Sequence, residues 1–220
     1  MRLYLILSSC KKLIPFNYQS FVTGAIQKWI GVNNEIHGKT SLYSFSWLHN
    51  IEVFKNGLRT HTNSYFFISA YHNDLLKRIL EGIQHSPEIC FGTGVREIRI
   101  KSAPSFSSKH SFSVASPVLV RKKVDGDRCK HLEYNDPDAN KMLTSGLQKK
   151  LTIAGLSAEG VQVSFDTTYR PARTKIIYYK EIGNRANLCP IRIQGTPEQI
   201  RFAWEVGVGN STGIGFGALK

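Results

Sequence analysis

The order in which strand-like and helix-like segments follow one another constrains this chain most. Arg2–Ser8, short and rich in Leu, Ile and Tyr, reads as a strand. Asn17 can cap a helix whose apolar positions Tyr18, Phe21, Val22, Ala25, Ile26, Trp29 and Ile30 recur at helical spacing, and Gly31 supplies its stop. Leu42–Trp47 and Tyr65–Ala70 read as strands, with the turn-like Lys55-Asn56-Gly57 between them. Leu75, Leu76, Ile79, Leu80 and Ile83 form a second helical stripe begun by Asn73 or Asp74. Val95, Ile98 and Ile100, mixed with Arg96, Arg99 and Lys101, read as another strand. The N-terminal half thus runs β-α-β-β-α-β.

A Ser/Pro-rich stretch, Ser102–Ser108, reads as a linker, and after it the same order returns. Ser113–Arg121 is expected to be a strand, with Asp125-Gly126-Asp127 turning a hairpin towards His131–Tyr134. Asp136 is expected to cap a helix with Pro137 in its first turn and Met142, Leu143, Leu147 and Leu151 on one face. Val161–Phe165, Thr174–Tyr179 and Pro190–Gln194 read as strands. Thr196-Pro197-Glu198-Gln199 is a capping box ahead of Ile200, Ala203 and Trp204, and Ile214–Leu219 would be the last strand. Two split-βαβ units in tandem account for this order with short connections. The expected class is α+β, with tandem ferredoxin-like (RRM-like) βαββαβ domains over residues 1–103 and 109–220. Neither half carries a clean aromatic RNP signature, so RNA binding on an aromatic sheet face is not expected.

Composition bears on partners. Lys and Arg number 29 against 16 Asp and Glu, a formal net charge of +13 over 220 residues, which favours a polyanionic partner. No apolar stretch approaches the ~20 residues that span a bilayer. The Met1–Leu7 opening is too short for a secretory signal, so a soluble cytoplasmic chain is expected. Cys10, Cys90, Cys129 and Cys189 lie far apart without CxxC spacing, which argues against a zinc site or a disulfide framework and for reduced, mostly buried thiols.

The chain closes on Gly207-Val208-Gly209-Asn210-Ser211-Thr212-Gly213-Ile214-Gly215-Phe216-Gly217. No Gly-Lys-Ser/Thr ends the run and no helix can follow it, which excludes a P-loop and a Rossmann turn. Successive glycine amides can point into one concavity and hold a phosphate or an RNA backbone; a glycine-bulged edge strand or flexible tail is the structural alternative. Gly-Val-Gly, five residues, Gly-Phe-Gly at the C-terminus resembles the signature of the CRISPR-associated repeat-processing endoribonucleases, the Cas six family. Ser116–Val120, the basic-ended Asp136–Leu151 and Ser41–Ser46 resemble further stretches of that family. The resemblance implies a tandem ferredoxin-like enzyme that cuts precursor CRISPR RNA within each repeat without a metal.

Such cleavage uses the substrate's 2′-hydroxyl as nucleophile and leaves a 2′,3′-cyclic phosphate and a 5′-hydroxyl. It needs a base, an acid and a cation beside the developing charge, and histidine serves either proton role near neutrality. His37, in the polar loop after the first helix, resembles the family's catalytic histidine in placement, and Lys39 would steady the phosphate. His49 is the competitor, while His61, His72, His85, His110 and His131 sit in turns or near caps. Tyr18, at the start of the first helix, belongs to its apolar stripe and is expected to be packing. Thr167–Thr196 carries Arg170, Arg173, Lys175, Lys180, Arg185 and Arg192 against Glu181 alone, with Tyr169, Tyr178 and Tyr179 placed to stack on bases. Arg121-Lys122-Lys123 and Lys149-Lys150 are less specific as a grip and fit ordinary surface as well.

The leading expectation is a metal-independent endoribonuclease for CRISPR repeat RNA. His37 and Lys39 would be catalytic, and Arg170, Arg173, Lys175, Arg185, Arg192, Gly207, Gly209, Asn210, Gly213, Gly215 and Gly217 would bind RNA. No metal or cofactor is implied and no membrane partner. A CRISPR effector complex and a homodimer are the assemblies left open. The alternative is a non-catalytic repeat-RNA-binding subunit of such a complex. A basic protein unrelated to RNA is a third.

Overall fold

The computed structural model describes residues 1–31, 40–125 and 128–220. The N-terminal half contains β1 (Arg2–Leu7), α1 (Gln19–Ile30), β2 (Tyr43–Phe45), β3 (Glu52–Phe54), β4 (Gly57–Arg59), β5 (Tyr65–Ala70), α2 (Asn73–His85), β6 (Glu88–Cys90) and β7 (Thr93–Lys101). The C-terminal half contains β8 (Lys109–Phe112), β9 (Arg121–Lys123), β10 (Cys129–His131), α3 (Ala139–Ile153), β11 (Gln162–Phe165), β12 (Arg173–Tyr179), β13 (Ile182–Leu188), β14 (Ile191–Gln194) and α4 (Pro197–Val206).

In the first half the antiparallel sheet runs β2-β5-β1-β7-β6, with β3–β4 as a separate hairpin. The order of its four principal strands is that of a split βαβ unit, so the alternation along β1 decides its core. Leu3, Leu5 and Leu7 point to one face and pack under Val22, Ile26 and Trp29 of α1 and Leu76, Ile79 and Ile83 of α2. Burying each such side chain contributes about 1.5–3 kcal/mol.

The second half repeats the plan with a shorter sheet, β11-β14-β8. Phe112, Val163, Phe165, Ile191 and Ile193 face Leu143, Leu147 and Leu151 of α3 and Ile200 and Ala203 of α4. The position of a fourth strand is held by a bridge between Val114 and Leu219. The fold is α+β, tandem ferredoxin-like, as its residue pattern implies.

The halves meet across a seam that begins at Arg2. This buried guanidinium lies between the rings of Phe67 (3.8 Å) and Trp204 (3.7 Å). Its Nη2 donates to the carbonyls of Trp204 and Leu219, each at 2.9 Å. Glu205 is buried beside it and accepts from the Met1 amine at 2.6 Å. The Ser44 hydroxyl donates to the Glu205 carbonyl at 3.1 Å.

Several local expectations are corrected. The strand expected at Ser113–Arg121 lies earlier, at Lys109–Phe112, because Pro117 has no N–H for a continuous ladder and residues 113–120 pair only through isolated bridges before Arg121 opens β9. Asp136 does not cap α3. Its Oδ1 accepts from the Asp138 amide at 3.1 Å in a turn ahead of the helix, and Asp138 is the N-cap residue. Ile214–Leu219 is not a strand, since a 3-10 turn at Thr212–Ile214 is followed by positive φ at Gly215 and Gly217. The ladder of β13, whose Gly, Asn and Ala have weak β propensity, comes from pairing with β12 along its whole length. Of the four cysteines only Cys189 is buried; Cys10 and Cys90 are half-buried and Cys129 is exposed. Asp125 lies in the β9–β10 turn, whose Gly126 and Asp127 fall outside the described residues.

Candidate nucleic-acid interface

The glycine-rich segment after α4 is a packed structural loop. Gly207, Gly213, Gly215 and Gly217 are buried, Gly209 is half-buried, and Asn210 is exposed at its turn. Gly217, at φ +67, lies so close to the Val208 carbonyl that a Cβ would overlap it. At Gly213 a Cβ would collide with the Ser41 hydroxyl. The expected row of free amides is not formed by all the glycines. The Gly207 amide donates to Ala203 O (2.8 Å) and that of Gly217 to Pro117 O (2.9 Å). Val208 N–H donates to Gly217 O and Asn210 N–H to Leu119 O, closing the loop on itself and on the preceding strand region.

Two cations brace this loop. Lys150 is not ordinary surface: it is buried, and its Nζ donates to Val206 O (3.2 Å), Gly207 O (3.3 Å) and Thr212 Oγ1 (3.0 Å). The first two are carbonyls at the C-terminal end of α4, where a helix carries partial negative charge. Burial without a carboxylate partner pulls the lysine down to about 7. The signal was present in the sequence, because Lys150 lies seven residues after Leu143 and therefore on the buried stripe of α3. Arg121 is the second brace. Its backbone amide donates to Asn210 Oδ1 at 2.8 Å and its Nη2 to Ser211 Oγ.

The basic strands form a hairpin, β12–β13, beside the loop. Ile177 and Ala186 on its inner face pack with Leu119 and Phe216, which joins the hairpin to the glycine segment. Asn187 fixes its base: fully buried, it donates from Nδ2 to Val118 O (3.2 Å) and Leu132 O (3.0 Å). Its Oδ1 accepts from Tyr134 N and Thr174 Oγ1, both at 3.0 Å. Sequence reasoning did not single out this residue, since an asparagine in a strand pattern carries no signal of its partners. Arg173, Lys175 and Arg185 come together in one open depression with Tyr134 and Ile176. Tyr178 is exposed on the outer face and Tyr169 in the turn before β12, while Tyr179 is half-buried. Arg170 is exposed in that turn. Arg192 stands apart on β14, paired with Asp166 at 2.7 Å and lining a depression with Lys109 and Gln162.

His37 and Lys39 lie outside the described residues. The chain on both sides of them is tied to the glycine loop. On the α1 side Gln27 Nε2 donates to the Tyr43 hydroxyl at 3.1 Å, and that hydroxyl donates to Gly213 O at 3.1 Å. Burial, then the nearby Tyr179 phenol, hold the Tyr43 hydroxyl up to about 12. The competitor His49 is stacked on Tyr65 at 4.9 Å, and burial followed by the charge of Lys220 lowers it to about 4. It is a neutral packed ring at neutral pH. Tyr18 is likewise buried, its hydroxyl accepting from the Leu48 amide at 3.1 Å. Among the described residues no group of three or more His, Cys, Asp or Glu could hold a metal ion, and no helix is long and apolar enough to cross a membrane.

Comparison with known proteins places this arrangement. The family model of the C-terminal part of CRISPR associated protein Cas6 matches residues 100–220, more than half of the chain. An endoribonuclease-like Cas6 protein of Pyrococcus furiosus is 28% identical over 162 residues, covering 70% of this chain and 66%, just under two thirds, of that protein. A CRISPR-associated endoribonuclease Cas6 of Methanocaldococcus jannaschii is 23% identical over 94% of this chain and 87% of its own length. The structure of a Cas6-related protein of Pyrococcus furiosus superposes with a TM-score of 0.85 at 25% identity, covering 100% of this chain and 97% of that one. With that family's C-terminal pattern over its second half and the same tandem fold throughout, this chain belongs to the Cas6 family of CRISPR-associated proteins.

Proposed function

We propose that this protein is an endoribonuclease that matures CRISPR RNA by cutting repeat RNA without a metal ion. The substrate's 2′-hydroxyl attacks the adjacent phosphorus and the 5′-oxygen leaves, giving a 2′,3′-cyclic phosphate and a 5′-hydroxyl. His37 transfers protons and Lys39 steadies the charge that develops on the phosphate. Arg173, Lys175 and Arg185 hold the RNA backbone, with Arg170, Arg192 and the exposed turn at Gly209 and Asn210 extending the grip. Gly207, Gly213, Gly215 and Gly217 serve it by letting the loop close. Membership of the Cas6 family and the endoribonuclease names of its relatives support this reading.

One observation carries the reading furthest. The chain leading into and out of the His37 segment is anchored through Gln27, Tyr43 and Gly213, at the loop against which the basic hairpin packs.

Repeat RNA incubated with the protein in EDTA tests it. Wild type is expected to cut at one position to cyclic-phosphate ends, and a 2′-deoxy sugar at that position abolishes cutting. His37→Ala should bind RNA as before while cleaving about 10²–10⁴-fold more slowly. Full activity in His37→Ala would remove the site assignment. Binding without any wild-type cleavage would leave a repeat-RNA-binding subunit in place of an enzyme.

A further inference from the structure

The β9–β10 hairpin sorts its cations by face. Arg121 and His131 are direct cross-strand partners, as are Lys123 and Cys129, while Lys122 and Lys130 alternate to the opposite face. Lys122 and Lys130 are ion-paired with Asp138 and Asp136. Arg121 has no carboxylate partner among the described residues. Its Nη2 is spent on Ser211 Oγ, and its buried Nε has no hydrogen-bond partner among the described residues.

The adjacent strand β13 adds a second guanidinium. The Arg185 amide donates to His131 Nδ1 at 3.1 Å, so the neutral imidazole carries its proton on Nε2 and is a donor there. Burial, then Arg121 and Arg185, hold His131 below the ordinary histidine value, which keeps it in that neutral form. The Arg185 Nη1 donates to Glu133 Oε1 at 2.6 Å, an exposed pair of little net strength.

We propose that Arg121, His131 and Arg185 form a site for one backbone phosphodiester of RNA at the rim of the glycine-rich loop. Two guanidinium groups and an imidazole N–H supply donors, and among the described residues the carboxylate paired with them is Glu133. That composition excludes a metal cation and suits the non-bridging oxygens of a phosphate. Arg173 and Lys175 continue the positive surface along β12, which matches the repeating charge of a nucleic-acid backbone better than a single free anion. Because Arg121 also holds Ser211, and its own amide holds Asn210, a phosphate seated here is registered directly against the loop. The proposal rests on the RNA-binding reading above and adds a defined contact to it.

A methylphosphonate scan of repeat RNA, neutralising one phosphate at a time, tests the site against wild type, Arg121→Gln, Arg185→Gln and His131→Phe. One position is expected to weaken wild-type binding about tenfold when neutralised, the size of one charge-assisted hydrogen-bond contact. Neutralising that position should cost little more in each variant. Arg185→Gln leaves the Ser211 and Asn210 contacts intact, so it separates phosphate binding from any loosening of the loop. Each arginine variant should also lower the slope of log affinity against log salt by about 0.7 to 0.9. Wild-type binding in which every position weakens wild type and variants equally would overturn the site and leave the RNA-binding reading standing. Failure of wild type to bind repeat RNA at low salt would overturn that reading and the site with it.

Discussion

At the scale of single residues, the cation that matters most to the loop is the one with no counter-ion. Lys150 donates to two carbonyls and a hydroxyl, and only the ammonium form has three N–H groups to satisfy all three. Its folded value of about 7 lies below the 10.5 of a solvated lysine. Between these limits the unfolded chain binds a proton that the folded chain does not, so wild-type stability should rise with pH across that window. Below about pH 7 both forms are protonated and this contribution no longer changes. Lys150→Met removes the titration, and thermal unfolding from pH 6 to 9.5 should show wild type gaining on the variant as pH rises. Parallel curves for the two proteins would mean that Lys150 does not titrate across that window.

At the scale of elements, α4 is the best defined by its own residues. Thr196 Oγ1 accepts from the Gln199 amide at 3.2 Å, and Gln199 Oε1 accepts from the Thr196 amide at 2.9 Å, closing the capping box read from Thr-Pro-Glu-Gln. Gln199 does a second job: its Nε2 donates to the carbonyls of Ser157 and Glu159, both at 2.9 Å, pinning the turn after α3. Thr196→Ala should therefore cost about 1 kcal/mol, the usual worth of an N-cap. Gln199→Ala should cost more, because it also removes the two hydrogen bonds to Ser157 and Glu159, about 0.5–1.5 kcal/mol each. Urea unfolding of the two variants checks the order; equal losses would mean that Ser157 and Glu159 are served by water. Local chemistry settled this helix, while α3 was placed too early because Asp136-Pro137 offers an equally good cap signal that the fold uses for a preceding turn.

For the whole molecule, the seam at Arg2 joins two separate cores. Its guanidinium is desolvated between Phe67 and Trp204, and burial lowers it to about 10. Arg2→Met should leave the Trp204 and Leu219 carbonyls without a donor, at about 1–3 kcal/mol for each. Calorimetry should then resolve two transitions, one per half, where a single one is expected of wild type. A single transition moved down as a unit would mean that other contacts couple the halves. The tandem architecture, the basic strands and the glycine ending were legible in the sequence by itself, because periodicity, charge and missing side chains act locally. The way in which the glycines are used, the burial of Lys150, the neutrality of His49 and the separation of Arg192 from the cations of the β12–β13 hairpin were decided only in the tertiary structure. Each depends on what a distant segment brings alongside, and desolvation and the closeness of two backbones are properties of that neighbourhood rather than of the residue.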